Sequence, residues 1–124
     1  AMLSDLHLDT HAKRHHRSLV GVTSEVSQAL DTLDFDLLAL AGDLSNDCRL
    51  TQKIAQTLEH QLARPLFYVP GNHDLFNMEN KWPTKAIVQS FKEDERCRWG
   101  ERVELADGAT LVGHCGWYDY SYGL

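Results

Sequence analysis

Long hydrophobic runs are missing from this chain of 124 residues. None approaches the roughly 18 apolar residues that a membrane-crossing helix needs, so a membrane span is excluded from the expectation. Cysteine is scarce and badly spaced for its structural uses. Cys48, Cys97 and Cys115 are odd in number and form no C-x-x-C pair, which argues against a disulfide framework and a zinc knuckle. A reducing, cytoplasmic compartment is the expectation that fits. Positive charge is also short: 12 Lys and Arg face 18 Asp and Glu, for a net charge of −6. The resulting field repels a nucleic-acid backbone, so nucleic acid is not the expected partner. Internal repeats, low-complexity segments and linker-like stretches are lacking as well. What remains, 43% hydrophobic and 24% charged residues, is the composition of an ordinary globular domain, and the length allows one such domain rather than two.

Apolar runs and periodic segments alternate along the chain. Ala1-Met2-Leu3-Ser4 reads as the tail of a strand, shorter than the usual length of about 5 or 6 residues. After a polar stretch, Thr23-Ser24-Glu25 predicts a helix start, with Val22, Val26, Leu30 and Leu33 on one face. The continuous run from Asp36 to Ala41, closed by Gly42, predicts a strand buried on both faces of a parallel sheet. Leu50, Ile54, Leu58 and Leu62 mark a second amphipathic helix, and Pro65 to Pro70 a third strand. Strand, helix, strand, helix, strand implies right-handed crossovers onto a parallel sheet, the α/β layered class. Further on, Pro83 predicts a helix carrying Ile87 and Phe91. Asp107-Gly108 predicts a hairpin that adds antiparallel strands, giving a central mixed sheet flanked by helices. The aromatic-dense run from Gly116 to Leu124 would need covering neighbours. Residues 1–124 are therefore expected to be the N-terminal portion of a single domain, incomplete at both ends.

In open α/β sheets the functional crevice lies beyond the carboxyl ends of the strands. Each strand here ends in donor groups. The first ends in Asp5-Leu6-His7, where an extended backbone would aim residues i and i+2 to the same side. The second ends in Gly42-Asp43 and the third in Gly71-Asn72-His73-Asp74, each with a glycine that allows a tight turn. Asp, His and Asn offer oxygen and nitrogen donors suited to manganese, iron or zinc. Any one of these units alone would be read as a surface pair, a helix cap or a turn. Their coincidence at three successive strand ends points to a shared metal site.

Ser4-Asp5-Leu6-His7, Gly42-Asp43-Leu44-Ser45-Asn46-Asp47 and Gly71-Asn72-His73-Asp74 resemble, in order and spacing, the first three motif blocks of the calcineurin-like metallophosphoesterases. The likeness covers residues 1–74, and Gly116-Trp117-Tyr118-Asp119-Tyr120-Ser121 is similar to a stretch in a bacterial subfamily of phosphoesterases. The resemblance implies the layered metallophosphoesterase fold and two divalent or trivalent ions (manganese, iron or zinc). Asp5 and His7 would hold the first ion, Asp43 would bridge both, and Asn72 would hold the second. It further implies hydrolysis of a phosphomonoester or phosphodiester by water activated between the ions, with His73 as the general acid. The implied partner is a phosphorylated small molecule or nucleotide. Two departures from the family pattern stand out. Several members place an Asp three residues after the bridging Asp, to orient the catalytic His; here that position is Asn46, followed by Asp47, and Asp74 is a third candidate for support of His73. The family's later metal-binding His and its final Gly-His-x-His block are not found; His114, followed by Cys115-Gly116, reads as a polar residue at a strand end.

The acid-free run from His11 to Arg17 puts Arg14 and Arg17 near the first motif as candidate substrate contacts, against the plainer reading of a solvated loop. A separate metal site from His11, His15 and His16 would require helical spacing. Cys48 reads as a small helix-start residue, because metal-activated water leaves no task for a thiol nucleophile. Two other functions compete. One is a phosphoesterase-like domain that has lost turnover and serves as a binding module or scaffold; metal content would separate the two. The other, a Rossmann-type nucleotide binder on a similar sheet, is disfavoured because the first strand leads into Asp5-Leu6-His7 and not into a glycine-rich phosphate loop.

Overall fold

Three short strands, β1 (Met2–Leu3), β2 (Leu38–Ala41) and β3 (Leu66–Val69), form a parallel sheet in the order β1-β2-β3. They belong to a computed structural model that describes residues 1–76 and 81–115. The register sets Leu3 against Leu40 and Leu40 against Tyr68. Pairing continues past the end of β1, where the Asp5 N–H donates to the Gly42 carbonyl at 3.0 Å and the His7 N–H to the Asp43 carbonyl at 2.9 Å. The three motif blocks therefore lie side by side at one end of the sheet.

Four helices complete the α/β arrangement: α1 (Leu8–Arg14), α2 (Leu19–Asp31), α3 (Cys48–Leu62) and α4 (Thr84–Glu93). Alternation along the strands aims Leu38, Leu40, Leu66 and Tyr68 into one core with Leu8, Val22, Leu30, Ile54, Leu58, Leu62 and Phe91. Each large aliphatic side chain buried there stabilises the fold by about 1.5–3 kcal/mol. The helix over Leu50–Leu62 forms as its period predicts, capped by Asp47, whose carboxylate accepts from the Arg49 and Leu50 N–H groups. The Pro83 helix likewise buries Ile87 and Phe91.

Several local expectations shift. The polar stretch after the first motif is helical, with Leu8 and Ala12 buried one turn apart. α2 begins at Leu19 rather than Thr23, because Ser18 caps it by accepting from the Gly21 N–H; Leu33 falls outside it and is exposed. β2 is fully buried on one face, not two: Leu38 and Leu40 point into the core, while Ala41 on the opposite face is exposed. The antiparallel pair predicted around Asp107-Gly108 is present as β4 (Arg102–Glu104) and β5 (Thr110–Val112). It makes its own two-stranded sheet instead of widening the central one among the described residues. The link to β3 comes from the segment just before it, where the Arg98 N–H donates to the Tyr68 carbonyl at 2.8 Å.

All three cysteines are free and buried. Burial pushes the thiols of Cys97 and Cys115 up to about 11 and that of Cys48 upward as well. At pH 8 a thiol titrating at about 11 is ionised in about one molecule in a thousand, against about one in four for an unperturbed thiol near 8.5. Iodoacetamide is thus expected to label the native protein far more slowly than the urea-unfolded chain, with the native rate climbing as pH rises. The raised thiols also make stability full below about pH 8.5 and falling from there toward pH 11. Equal native and unfolded labelling rates at pH 8 would contradict this burial.

Candidate metal centre

The strand ends do not continue as extended chain. Asp5, His7 and Asp43 all adopt positive φ, at 57°, 42° and 56°. Left-handed backbone at a non-glycine residue costs about 1–2 kcal/mol, and three instances within one cluster mark a site where surrounding contacts hold the strain. This corrects the premise that an extended Asp5-Leu6-His7 aims both side chains one way. Left-handed residues bend the chain at the first two motifs, and a turn over residues 72–75 follows the third strand.

Two glycines make the turns fit. Gly42 has φ 80°, and a Cβ there would come within 2.8 Å of the Gly71 backbone. A Cβ on Gly71 would run into the Asp43 carboxylate and lie 2.7 Å from the Asp43 nitrogen. The close crossing of the second and third motifs is therefore open only to glycine. Gly71→Ala is expected to destabilise the fold by about 1–3 kcal/mol and to weaken metal binding about tenfold or more by displacing Asp43. Unchanged thermal melting together with unchanged metal content would refute the steric argument.

The turns converge His7, Asp43 and His73, whose ligating atoms all lie within 4.8 Å of one another. The His7 and His73 rings meet edge to face at 4.7 Å between centroids, and Phe76 backs His73 at 4.9 Å. The His73 N–H donates to Asp43 Oδ1 at 2.9 Å, tying the third motif to the second. All three residues are partly buried. The His7 imidazole and the Asp43 carboxylate offer the nitrogen and oxygen donors that a first-row transition-metal ion takes, and the second imidazole, His73, stands beside them with its Nδ1 engaged by Asn46. Asp5, exposed, and Asn72, in the turn between Gly71 and His73, flank this group.

The three residues expected to support His73 do different work. Asn46 meets the imidazole directly, its Oδ1 lying 2.6 Å from His73 Nδ1. Asp47 caps α3. Asp74, fully buried, clips the second motif: its Oδ2 accepts from the Asp43 and Gly71 N–H groups, and its Oδ1 from the Leu44 and Ser45 N–H groups and the Thr51 hydroxyl. Burial pushes the Asp74 carboxyl upward and these donors pull it back.

Asp9, Thr10 and Thr51 were not singled out by the sequence. Asp9, 4% exposed, accepts from both the backbone and side-chain amides of Asn46. The signal that could have found it is the i, i+4 pair Leu8 and Ala12, which makes the stretch helical and turns Asp9 inward. Arg17 forks onto Glu25 of α2, and Arg14 is exposed at the end of α1. His11 and His15 do take helical spacing, their rings 4.5 Å apart. His114 follows β5 and is exposed, outside the His7, Asp43 and His73 group. The run from Gly116 to Ser121 lies outside the described residues. Among the described residues no helix is long and apolar enough to cross a membrane.

A comparison with curated proteins gives no match. The family model described as calcineurin-like phosphoesterase matches residues 1–122, nearly the whole chain. With a parallel sheet whose strand ends bring His7, Asp43 and His73 together, the chain belongs to the calcineurin-like phosphoesterases.

Proposed function

We propose that this protein hydrolyses a phosphomonoester or phosphodiester. Two divalent or trivalent ions (manganese, iron or zinc) would be held by Asp5, His7, Asp43 and Asn72, with Asp43 shared and His73 as the general acid. The observation that carries the reading is the convergence of His7, Asp43 and His73 within 4.8 Å at the carboxyl ends of the parallel strands. Bound there, the ions would supply the positive charge that polarises a phosphoester and acidifies an attacking water.

The chain's own groups have distinct tasks. Asp43 contributes negative charge where cations must be held, and its contact with the His73 backbone N–H orients the carboxylate. Asn46 engages His73 at Nδ1, leaving Nε2 as the nitrogen that delivers a proton to the departing alkoxide. Phe76 against the ring limits its rotation. Arg14 is the candidate substrate contact of the basic run, whereas the pairing of Arg17 with Glu25 draws that cation away. The net charge of −6 favours a phosphorylated small molecule or nucleotide over a large polyanion. Residues 1–124 are read as belonging to one catalytic domain. The three buried, free cysteines suit a cytoplasmic setting.

The test is hydrolysis of p-nitrophenyl phosphate and its bis ester by the full-length, manganese-loaded protein. Turnover of at least one is expected, lost on chelation, with His73→Asn lowering kcat by about 10²–10⁴-fold. The reading is abandoned if neither ester is cleaved or if His73→Asn keeps full activity. A loaded ion content far below two per chain, together with no turnover, would favour a scaffold.

A further inference from the structure

Asn46 meets His73 at Nδ1, and a neutral amide can face a neighbouring imidazole in either of two orientations. With its oxygen toward the ring, the facing nitrogen must carry a proton; with its NH2 toward the ring, that nitrogen must carry the lone pair. The choice fixes the tautomer of His73.

The surroundings of Asn46 decide it. Its Nδ2 lies 3.1 and 3.3 Å from the two carboxylate oxygens of Asp9 and 2.9 Å from Thr10 Oγ1. The Asn46 backbone N–H also donates to Asp9 Oδ2, at 3.2 Å. Asp9 Oδ2 already accepts the Asn46 backbone N–H, and both Asp9 oxygens and Thr10 Oγ1 lie within hydrogen-bond reach of Nδ2, so the NH2 end of Asn46 faces Asp9. Its Oδ1 is thereby turned to His73 Nδ1, 2.6 Å away, and an amide oxygen only accepts. Nδ1 must then hold the hydrogen, which leaves the exchangeable position of the neutral ring at Nε2.

We propose that Asp9 is a positioning residue that sets the tautomer of His73 through Asn46, so that Nε2 is the nitrogen available for proton exchange in the site. The catalytic part of this proposal rests on the hydrolytic reading given above; the tautomer does not. Asp9 is suited to the task because it is buried in the first turn of α1, two residues after His7, and so is tied to the first motif.

The test reads the ring directly. In the full-length protein stripped of metal by chelation, the ¹⁵N shifts of His73 should show a protonated-type Nδ1 and a lone-pair-type Nε2 in the neutral form. Asp9→Asn removes the obligate acceptor, lets the Asn46 amide turn, and should shift intensity toward the Nε2–H form. Asn46→Ala, which removes the acceptor for Nδ1 while keeping Asp9, should do the same and serves alone if Asp9→Asn does not fold. The double variant Asp9→Asn/Asn46→Asp places a carboxylate against Nδ1, with an amide behind it to donate, and should restore the wild-type pattern. In the metal-loaded protein the single variants should lower kcat by about 10–100-fold with KM little changed, and the double variant should recover it. A wild-type Nε2–H tautomer, or a wild-type pattern unaltered in the folded single variants, overturns the proposal. Absence of esterase activity in the wild type overturns the hydrolytic reading and leaves the tautomer assignment to the spectra.

Discussion

Asp43→Asn is expected to abolish turnover and to strip metal from the protein while leaving the fold in place. Asparagine keeps the side-chain shape and tolerates the left-handed backbone that Asp43 adopts at φ 56°. Its amide oxygen can still accept the His73 N–H, now 2.9 Å from Oδ1. The Asp43 N–H keeps its bond to Asp74. What disappears is the negative charge at the point where the first motif's His7 and the third motif's His73 converge. Under the proposed function, in which Asp43 would be shared by two cations, its loss should lower kcat by about 10³-fold or more, through lost occupancy and lost charge stabilisation together. Metal analysis after dialysis, read beside a thermal melt, separates the two outcomes. Retained metal with activity within tenfold of wild type would remove Asp43 from the centre.

Asp74→Ala should instead act on the fold. Five donors converge on this carboxylate: the N–H groups of Gly71, Asp43, Leu44 and Ser45, and the Thr51 hydroxyl, at 2.5–3.1 Å. A buried donor left without an acceptor costs about 1–3 kcal/mol, and water entering the vacated space recovers part of it. A net loss of about 3–5 kcal/mol is expected, comparable to breaking a buried ion pair and a large share of the roughly 5–15 kcal/mol that stabilises a domain. The isosteric Asp74→Asn should rescue little. In either orientation its NH2 faces at least two of the donors, which leaves them unbonded and opposed. Asp74 is thus costly to bury, as its raised pKa records, and costlier to remove. Urea unfolding within 1 kcal/mol of wild type for both variants would show that the clip contributes little.

Much of the architecture follows from short-range pattern. The i, i+4 repeat of Ile54, Leu58 and Leu62 produces α3, and Pro83 with Ile87 and Phe91 produces α4, because each amphipathic face needs only the period of the helix to be recognised. Asp107-Gly108 produces the turn between β4 and β5 for a similarly local reason. The hairpin's placement apart from the central sheet was not readable, since strand partners are chosen by long-range register. α1 was missed because its two buried apolar residues, Leu8 and Ala12, are too few to stand out among His, Lys and Arg.

At the centre the division is sharper. Sequence alone determined the kinds of donor available and their order along the chain: Asp5 and His7, then Asp43, then Asn72 and His73, each at a strand end beside a turn. It did so because strand ends and glycine turns are local features. Tertiary structure decided which groups meet. Asp9 reaches Asn46 across 37 positions, Asn46 reaches His73 across 27, and Asp74 closes on residues 29 to 31 positions earlier. Those contacts follow from the parallel register and from the positive-φ turns at Asp5, His7 and Asp43, which cost backbone energy and persist only where the surrounding fold holds them.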